Sequence, residues 1–248
     1  MSNRYAFGDD PAAVRRLARL AELFEPTSRA FLARAVTDPP RLALDLGCGP
    51  GHTTRLLAEA TGAAQTVGLD RSRAFLDRAR ARELGGVPRK PQGGGGMRFV
   101  EHDVTTAPFP VGPADVIFAR YLLSRLADPE AVVTRWLTQL APGGVLLLEE
   151  NETITTGEPA FRDYLARAAA LIREHGGELE VGARLARLAG TSEVVSFRPA
   201  NADVAQLFLM NLDAQGYEGP LRTGLLPLVT QTDQRSIEWQ LRQVVLTR

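Results

Sequence analysis

Cysteine is nearly absent from this chain. Cys48 stands alone among 248 residues, which excludes an intrachain disulfide and fits a reducing compartment. An excess of charge of either sign is missing too. Lys plus Arg and Asp plus Glu each number 29, for a formal net charge of zero. That balance argues against a large nonspecific nucleic-acid surface, because phosphate binding needs clustered positive charge. No apolar run approaches the roughly 20 residues that span a bilayer. Met1 to Asp10 is polar and lacks the apolar core of a signal peptide. A cytoplasmic location is therefore expected, with no membrane and no nucleic acid among the partners. Histidines number only three, and no His/Cys cluster has zinc spacing. The Glu149-Glu150 pair could suggest magnesium, yet adjacent strand residues point to opposite faces. No metal is assigned. Gly-Lys-Ser/Thr is missing as well, so the chain has no phosphate-cradling loop of that type.

What is present is an ordinary apolar share, 44%, in a length that suits one large α/β domain or a domain with a cap. One run stands out: Leu42-Ala43-Leu44-Asp45-Leu46-Gly47-Cys48-Gly49-Pro50-Gly51-His52-Thr53-Thr54. It reads as a buried strand, a tight glycine turn and a helix start. Glycines let the backbone turn sharply and let a ligand approach the main chain. The following helix points its unsatisfied N–H groups at the same spot. Such a junction at the carboxyl end of a first parallel strand is where open α/β sheets bind nucleotide-like ligands. The glycines fall as G-x-G-x-G. The dinucleotide fingerprint needs its third small residue at position 52, which is His52. Asp45 would repel a pyrophosphate but attract an ammonium, which favours a ligand with an amino-acid end.

Strands and helices alternate from residue 41, which predicts a parallel sheet with helices on both faces. The spacing predicts strands at 41–46, 65–69, 97–101, 114–119 and 144–150, with helices at 52–62, 72–84 and 128–140. Before them, apolar spacing over 11–36 predicts two helices divided by Pro26. The Gly/Pro-rich stretch 85–96 reads as a mobile surface linker. After 150 the pattern predicts helices at 161–174 and 181–188, a strand at 194–197, helices at 204–212 and 221–230, and a final strand at 236–247.

The glycine run resembles motif I of the class I S-adenosylmethionine-dependent methyltransferases. Val67-Gly68-Leu69-Asp70, Phe99 to Val104, Ala114 to Ala119 and Leu140 to Glu150 extend the resemblance in the family's order, over roughly residues 40–150. The resemblance implies a Rossmann-like, doubly wound seven-stranded α/β sheet, mostly parallel with an antiparallel last strand inserted beside strand 5, plus a helical cap. It divides the chain into an N-terminal cap (1–40), a cofactor-binding core (41–150), a helical lid (151–190) and a completion of the sheet (191–248).

The resemblance also implies the cofactor, S-adenosylmethionine, with S-adenosylhomocysteine as product. Gly47, Gly49 and Gly51 would let the backbone approach its methionine part. Asp45 would lie near the ammonium, or else bond locally to the turn. Asp70 would hold the ribose hydroxyls, or else cap the helix near Ser72. Arg71 would flank the adenine or ribose, and Asp103 and Val104 would grip the adenine. Ala119 and Arg120 would stand beside the sulfonium, Ala119 offering a carbonyl and Arg120 there or else facing solvent. Methyl transfer is an in-line displacement in which the protein supplies position and a dry site, so no universal catalytic residue is expected. His102 and Glu150 are the catalytic candidates, and His52 and His175 have local structural readings. Glu149 and Asn151 share the end of strand 5 with Glu150, where one of the three would orient the acceptor or simply be solvated. Tyr5 and Phe7 would close over the site or pack. Cys48 reads as a small packing residue.

The expected function is methyl transfer to an oxygen or nitrogen of a small molecule, from a pocket lined by Phe161, Tyr164, Leu165, Phe208 and Met210, or else these residues are core. A homodimer is the expected assembly. A competing reading is a fold relative that binds the cofactor without transferring methyl, as an isomerase, a cyclase or a regulatory protein. Product mass separates the two. A nicotinamide dehydrogenase is the third reading, and Asp45 and the glycine spacing argue against it.

Overall fold

The computed structural model describes residues 8–85 and 96–248. Tyr5, Phe7 and nearly all of the linker expected over 85–96 lie outside the described residues. The chain runs α1 (Pro11–Ala35), β1 (Leu42–Leu46), α2 (His52–Thr61), β2 (Gln65–Asp70), α3 (Arg73–Gly85), β3 (Gly96–Glu101), β4 (Ala114–Arg120), α4 (Pro129–Leu137) and β5 (Leu140–Thr156). It continues through α5 (Pro159–Glu174), α6 (Gly182–Leu185), β6 (Thr191–Phe197), α7 (Asn201–Ala214), α8 (Pro220–Leu225) and β7 (Ile237–Thr247).

The strands form a seven-stranded sheet in the order β3-β2-β1-β4-β5-β7-β6. β1 to β5 pair in parallel, and β7 lies antiparallel between β5 and β6. This is the expected topology. The register follows from burial on both faces: every residue of β1 is buried, as a central parallel strand requires. Leu44, Leu46, Ile117, Leu146 and Leu148 pack one face against α4 and α6 through Val132, Trp136 and Leu185. Ala43, Phe118 and Leu147 pack the other face against Phe31, Leu32, Leu56 and Leu57 of α1 and α2. A separate aromatic cluster joins Phe24, Phe161, Tyr164, Phe208 and Trp239 beside the carboxyl half of β5, where Trp239 pairs with Ile154.

Two expectations differ from the structure. Residues 11–35 form one helix that runs through Pro26. An interior proline costs about 3 kcal/mol. Burial on both sides of it outweighs that cost, with Phe24, Ser28 and Leu32 at 0% exposure and Phe31 at 2%. Asp10 caps the helix, accepting from the Ala13 amide at 2.8 Å. The fifth strand is 17 residues long rather than ending near 150. β7 pairs with it from Val145 out to Thr156, so its backbone groups stay satisfied, and the helical insertion begins at Pro159.

Candidate functional site

A cavity of about 490 Å³ opens at the carboxyl ends of β1, β2 and β4, with Leu17, Leu20 and Ala21 of α1 as its roof. Its floor is the glycine turn. The amides of Gly47 and Cys48 both donate to the Leu69 carbonyl, at 2.8 and 3.1 Å. This ties the turn to β2. Gly47 has φ +67, and a Cβ there would meet the Leu122 side chain at 2.9 Å. Glycine is needed at this position for both reasons.

Asp70 closes β2 and organises the turn beside it. Its Oδ2 accepts from the Gly49 amide at 2.8 Å, and its Oδ1 from the Ser72 amide at 2.8 Å. Ser72, not Asp70, caps α3 by accepting from the Phe75 amide at 3.2 Å. Burial raises the Asp70 pKa, and the two amides oppose the rise. Across the cavity, burial pushes the Asp103 pKa up, but the hydroxyl and amide of Thr105 overcome it and hold the carboxyl below its ordinary value. Val104 is fixed through its carbonyl, which accepts from Trp136 Nε1 at 2.7 Å.

Gly47, Gly49, Asp70, Arg71, Asp103 and Val104 border one cavity. Three other expected cofactor residues do not. Asp45 is 1% exposed, and its Oδ2 accepts from the hydroxyls of Thr53 and Thr54 at 2.7 Å each. It sits beneath the turn and anchors the start of α2. Burial raises its pKa to about 6, against those two bonds. Gly51 is the left-handed residue before α2, and its absent Cβ faces the Phe99 ring at 2.9 Å, away from the cavity. Ala119 is 0% exposed within β4, where the sheet covers it.

The catalytic candidates are occupied elsewhere. His102 borders the cavity, but its Nε2 lies 3.2 Å from the Thr106 carbonyl and its ring packs edge-on to Phe109. Glu150 does not border the cavity. Its Oε1 accepts from the amides of Leu122 and Leu123 at 2.7 Å each, which fixes the turn after β4. Glu149, Glu150 and Asn151 are buried rather than solvated, because β5 continues past them. The two glutamates do face opposite ways: Glu149 bonds Ser28 of α1 and Gln243 of β7. His52 borders the cavity beside Arg82, and burial and the arginine charge lower its pKa to about 4. It is neutral at ordinary pH. His175 also borders the cavity, with Nδ1 2.8 Å from the Leu171 carbonyl at the end of α5.

Arg120, for which the sequence offered a place beside the sulfonium or else in solvent, borders the cavity. Its Nη1 donates to Ser28 Oγ at 2.8 Å, and Ser28 in turn donates to Glu149. Tyr121 and Arg125 also border the cavity, and nothing in their spacing announces a site, whereas α1 covers it where the N-terminal cap was expected. A smaller cavity of about 80 Å³ adjoins the first, and Leu20, Tyr121 and Arg125 line both. Of the expected acceptor-pocket residues, Tyr164, Leu165 and Phe208 line it. Phe161 instead packs edge-on to Phe208 in the core, and Met210 does not line it. Among the described residues no group of His, Cys, Asp and Glu could hold a metal ion, and no helix is long and apolar enough to cross a membrane.

Residues 44–148 match the protein family described as a methyltransferase domain. The trans-aconitate 2-methyltransferase of Methylobacterium radiotolerans is 39% identical over 140 residues, 56% of this chain and 48% of that protein. The enzyme of the same name from Acidovorax ebreus is 36% identical over 170 residues, 64% of this chain and 60% of that protein. The chain thus spans about half to three-fifths of the length of these curated relatives. Among solved structures, the cyclopropane synthase MmaA2 of Mycobacterium tuberculosis superposes with a TM-score of 0.58 at 19% identity, covering 90% of this chain and 83% of that one. The likeness is one of fold.

Proposed function

The domain around residues 44–148 belongs to the class I S-adenosylmethionine-dependent methyltransferases, and from that premise we propose that the chain methylates an oxygen or nitrogen of a small molecule. The observation that carries this reading is the unit made by Asp70 and the glycine turn, facing Asp103 across a cavity of about 490 Å³. The residues fit the cofactor. The cavity has the size of a small-molecule site. At Gly49 an added Cβ would meet only Leu17, at 3.6 Å, so the backbone there is open to close approach. The carboxylates of Asp70 and Asp103 both border the cavity and can accept from hydroxyl and amine donors.

S-adenosylmethionine supplies an electrophilic methyl group on a sulfonium. Asp70 holds the ribose hydroxyls, and Arg71 lies alongside. Asp103 and the Val104 amide bind the adenine. Gly47 and Gly49 admit the methionine part, and the Arg120 guanidinium takes its carboxylate. Asp45 acts from beneath as a positioning residue, keeping α2 aimed at the site. No side chain is required as a base for cofactor binding or for displacement itself. The curated relatives are named for a small-molecule substrate, and the larger cavity, about 490 Å³, is of that scale. A homodimer is the proposed assembly, through the outer edge of β6, which is exposed from Thr191 to Val194 and carries unpaired strand groups. Sedimentation velocity reads that directly.

Calorimetry with S-adenosylmethionine and S-adenosylhomocysteine tests the functional reading. Micromolar binding of either supports it, and product mass then distinguishes transfer from mere binding by a gain of one methylene. Folded protein that binds neither overturns it.

A further inference from the structure

Resting on that functional reading, we propose that Glu149 is a positioning residue for the amino-acid end of the cofactor, acting through Ser28 to hold the Arg120 guanidinium at the cavity wall. Sheet register is the first argument. Arg120 of β4 pairs with Glu149 of β5, and Glu149 pairs with Gln243 of β7. The three stand in one row across neighbouring strands. Two residues earlier in β4 and β5, and two later in β7, Phe118, Leu147 and Val245 form another row. Side chains two apart on a strand share a face, and Phe118 and Leu147 pack under Phe31 and Leu32 of α1. The apolar row therefore gives way to a polar one beneath the preceding turn of α1, where Ser28 lies.

Hydrogen-bond polarity is the second argument, because donors converge on Glu149 from both sides. From the cavity, Arg120 Nη1 donates to Ser28 Oγ at 2.8 Å, and Ser28 Oγ donates to Glu149 Oε2. From the other side, Arg34 Nη2 donates to Gln243 Oε1 at 3.0 Å, and Gln243 Nε2 donates to Glu149 Oε1 at 2.6 Å. Both oxygens of Glu149 accept, which is the pattern of an ionised carboxylate. Burial raises its pKa, and the Arg120 charge, Ser28 and Gln243 oppose the rise.

Stability does not explain the row. Ser28, Glu149 and Gln243 are at most 1% exposed, and apolar side chains of similar volume fill such a place with little loss or with a gain. The end of the row that meets a ligand space is Arg120. There Ser28 keeps opposite charges apart. An arginine in direct contact with Glu149 would be drawn onto it and away from the cavity. With the hydroxyl between them, the guanidinium stays at the wall. A long side chain held in place beforehand loses less freedom when a carboxylate arrives. A guanidinium also meets a carboxylate as a planar fork, so its direction matters as well as its charge.

Glutamine cannot replace Glu149 in this row. Its amide has one acceptor oxygen and one NH2 group, and two donors face it. If the nitrogen turns to Ser28, the hydroxyl loses its acceptor, and the lone pair that Arg120 uses is taken. If the nitrogen turns to Gln243, two donors meet. Turning Gln243 over to relieve that contact sets its own nitrogen against Arg34.

The test compares S-adenosylhomocysteine with 5′-methylthioadenosine, which has the same adenosine and a thioether but no amino-acid end. Calorimetry reads both. The parent is expected to bind S-adenosylhomocysteine at least tenfold tighter than the truncated ligand. Glu149→Gln should weaken S-adenosylhomocysteine binding at least fivefold and leave 5′-methylthioadenosine within twofold. In an Arg120→Gln background the same substitution should change S-adenosylhomocysteine affinity less than twofold, because the group it acts through is gone. If Glu149→Gln does not fold, Ser28→Ala serves, with the same pattern expected alone and in the Arg120→Gln background. Equal losses for the two ligands, a loss that persists without Arg120, or unchanged affinity overturns the positioning role. Tighter S-adenosylhomocysteine binding overturns it too, and would mean that Glu149 only offsets the Arg120 charge. A parent with a smaller difference between the ligands holds the carboxylate elsewhere, which overturns this proposal and leaves the cofactor reading in place. A folded parent that binds neither ligand overturns both.

Discussion

The Gly49 amide donates to Asp70 Oδ2 at 2.8 Å, so the turn after β1 and the acid that ends β2 form one piece of structure. Asp70 is therefore both a support for the loop and a carboxylate facing the cavity. The two roles can be pulled apart, because an amide oxygen accepts from a backbone N–H as well as a carboxylate oxygen does.

Asp70→Ala should weaken S-adenosylmethionine binding by roughly 1.5–3 kcal/mol, from lost charge-assisted bonds and an unmoored turn. Asp70→Asn should keep the melting temperature close to that of the parent while still losing affinity. Calorimetry and thermal unfolding on the pair check this. Parental affinity in both variants would remove Asp70 from the site.

Ser28 links Arg120 in the cavity to buried Glu149. Ser28→Ala leaves Glu149 short of a donor and Arg120 without its tether. An unfolding free energy lower by about 1–3 kcal/mol is expected, together with weaker cofactor binding. Denaturant titration and calorimetry on one preparation measure both. A stability loss with unaltered affinity would mean that Arg120 does not touch the cofactor.

Gly51 combines φ +83 with the Phe99 ring 2.9 Å from where a Cβ would stand. Gly51→Ala should cost roughly 1–3 kcal/mol, because strain and overpacking act together. It should cost more than Gly143→Ala, where φ is also positive but nothing lies within 4 Å. Melting temperatures of the two variants give the comparison.

Burial raises the Glu150 pKa to about 7, against the amides of Leu123 and Leu122. A carboxyl with a raised folded pKa binds its proton more tightly in the native state than when unfolded. Its contribution is therefore most favourable below the unfolded pKa of about 4.3. It is lost as pH rises from there to about 7. Over that window the loss is on the order of 3 kcal/mol. Glu150→Gln keeps the acceptor oxygen and removes the titration, so unfolding free energy should fall less steeply between pH 4.5 and 7.5 than in the parent. Parallel pH profiles would show that the carboxyl titrates normally.

Motif I and the acids that follow β2 and β3 were legible because chain-local chemistry makes them so. A glycine turn needs glycines, and a strand followed by its last acid is one short run. Which of its two places Arg120 takes was not legible, because that depends on Ser28, 92 residues earlier in the chain. Glu149 and Glu150 read as a solvated strand end because the pairing of β5 with β7, which carries the strand on to Thr156, is set by residues about 90 positions away. Pro26 was read as a break for the same kind of reason. A local penalty of about 3 kcal/mol is visible in sequence, while the burial that offsets it is not.

The sequence alone determined the alternation of strands and helices, the nucleotide-type junction after β1 and the acids that face it. Each of these rests on period, turn chemistry and short-range spacing. Only the tertiary structure decided that Asp45 lies under the turn rather than in the cavity, and that Arg120 borders the cavity through its bond to Ser28. Those outcomes depend on which distant surfaces pack together, and packing is a property of the folded chain.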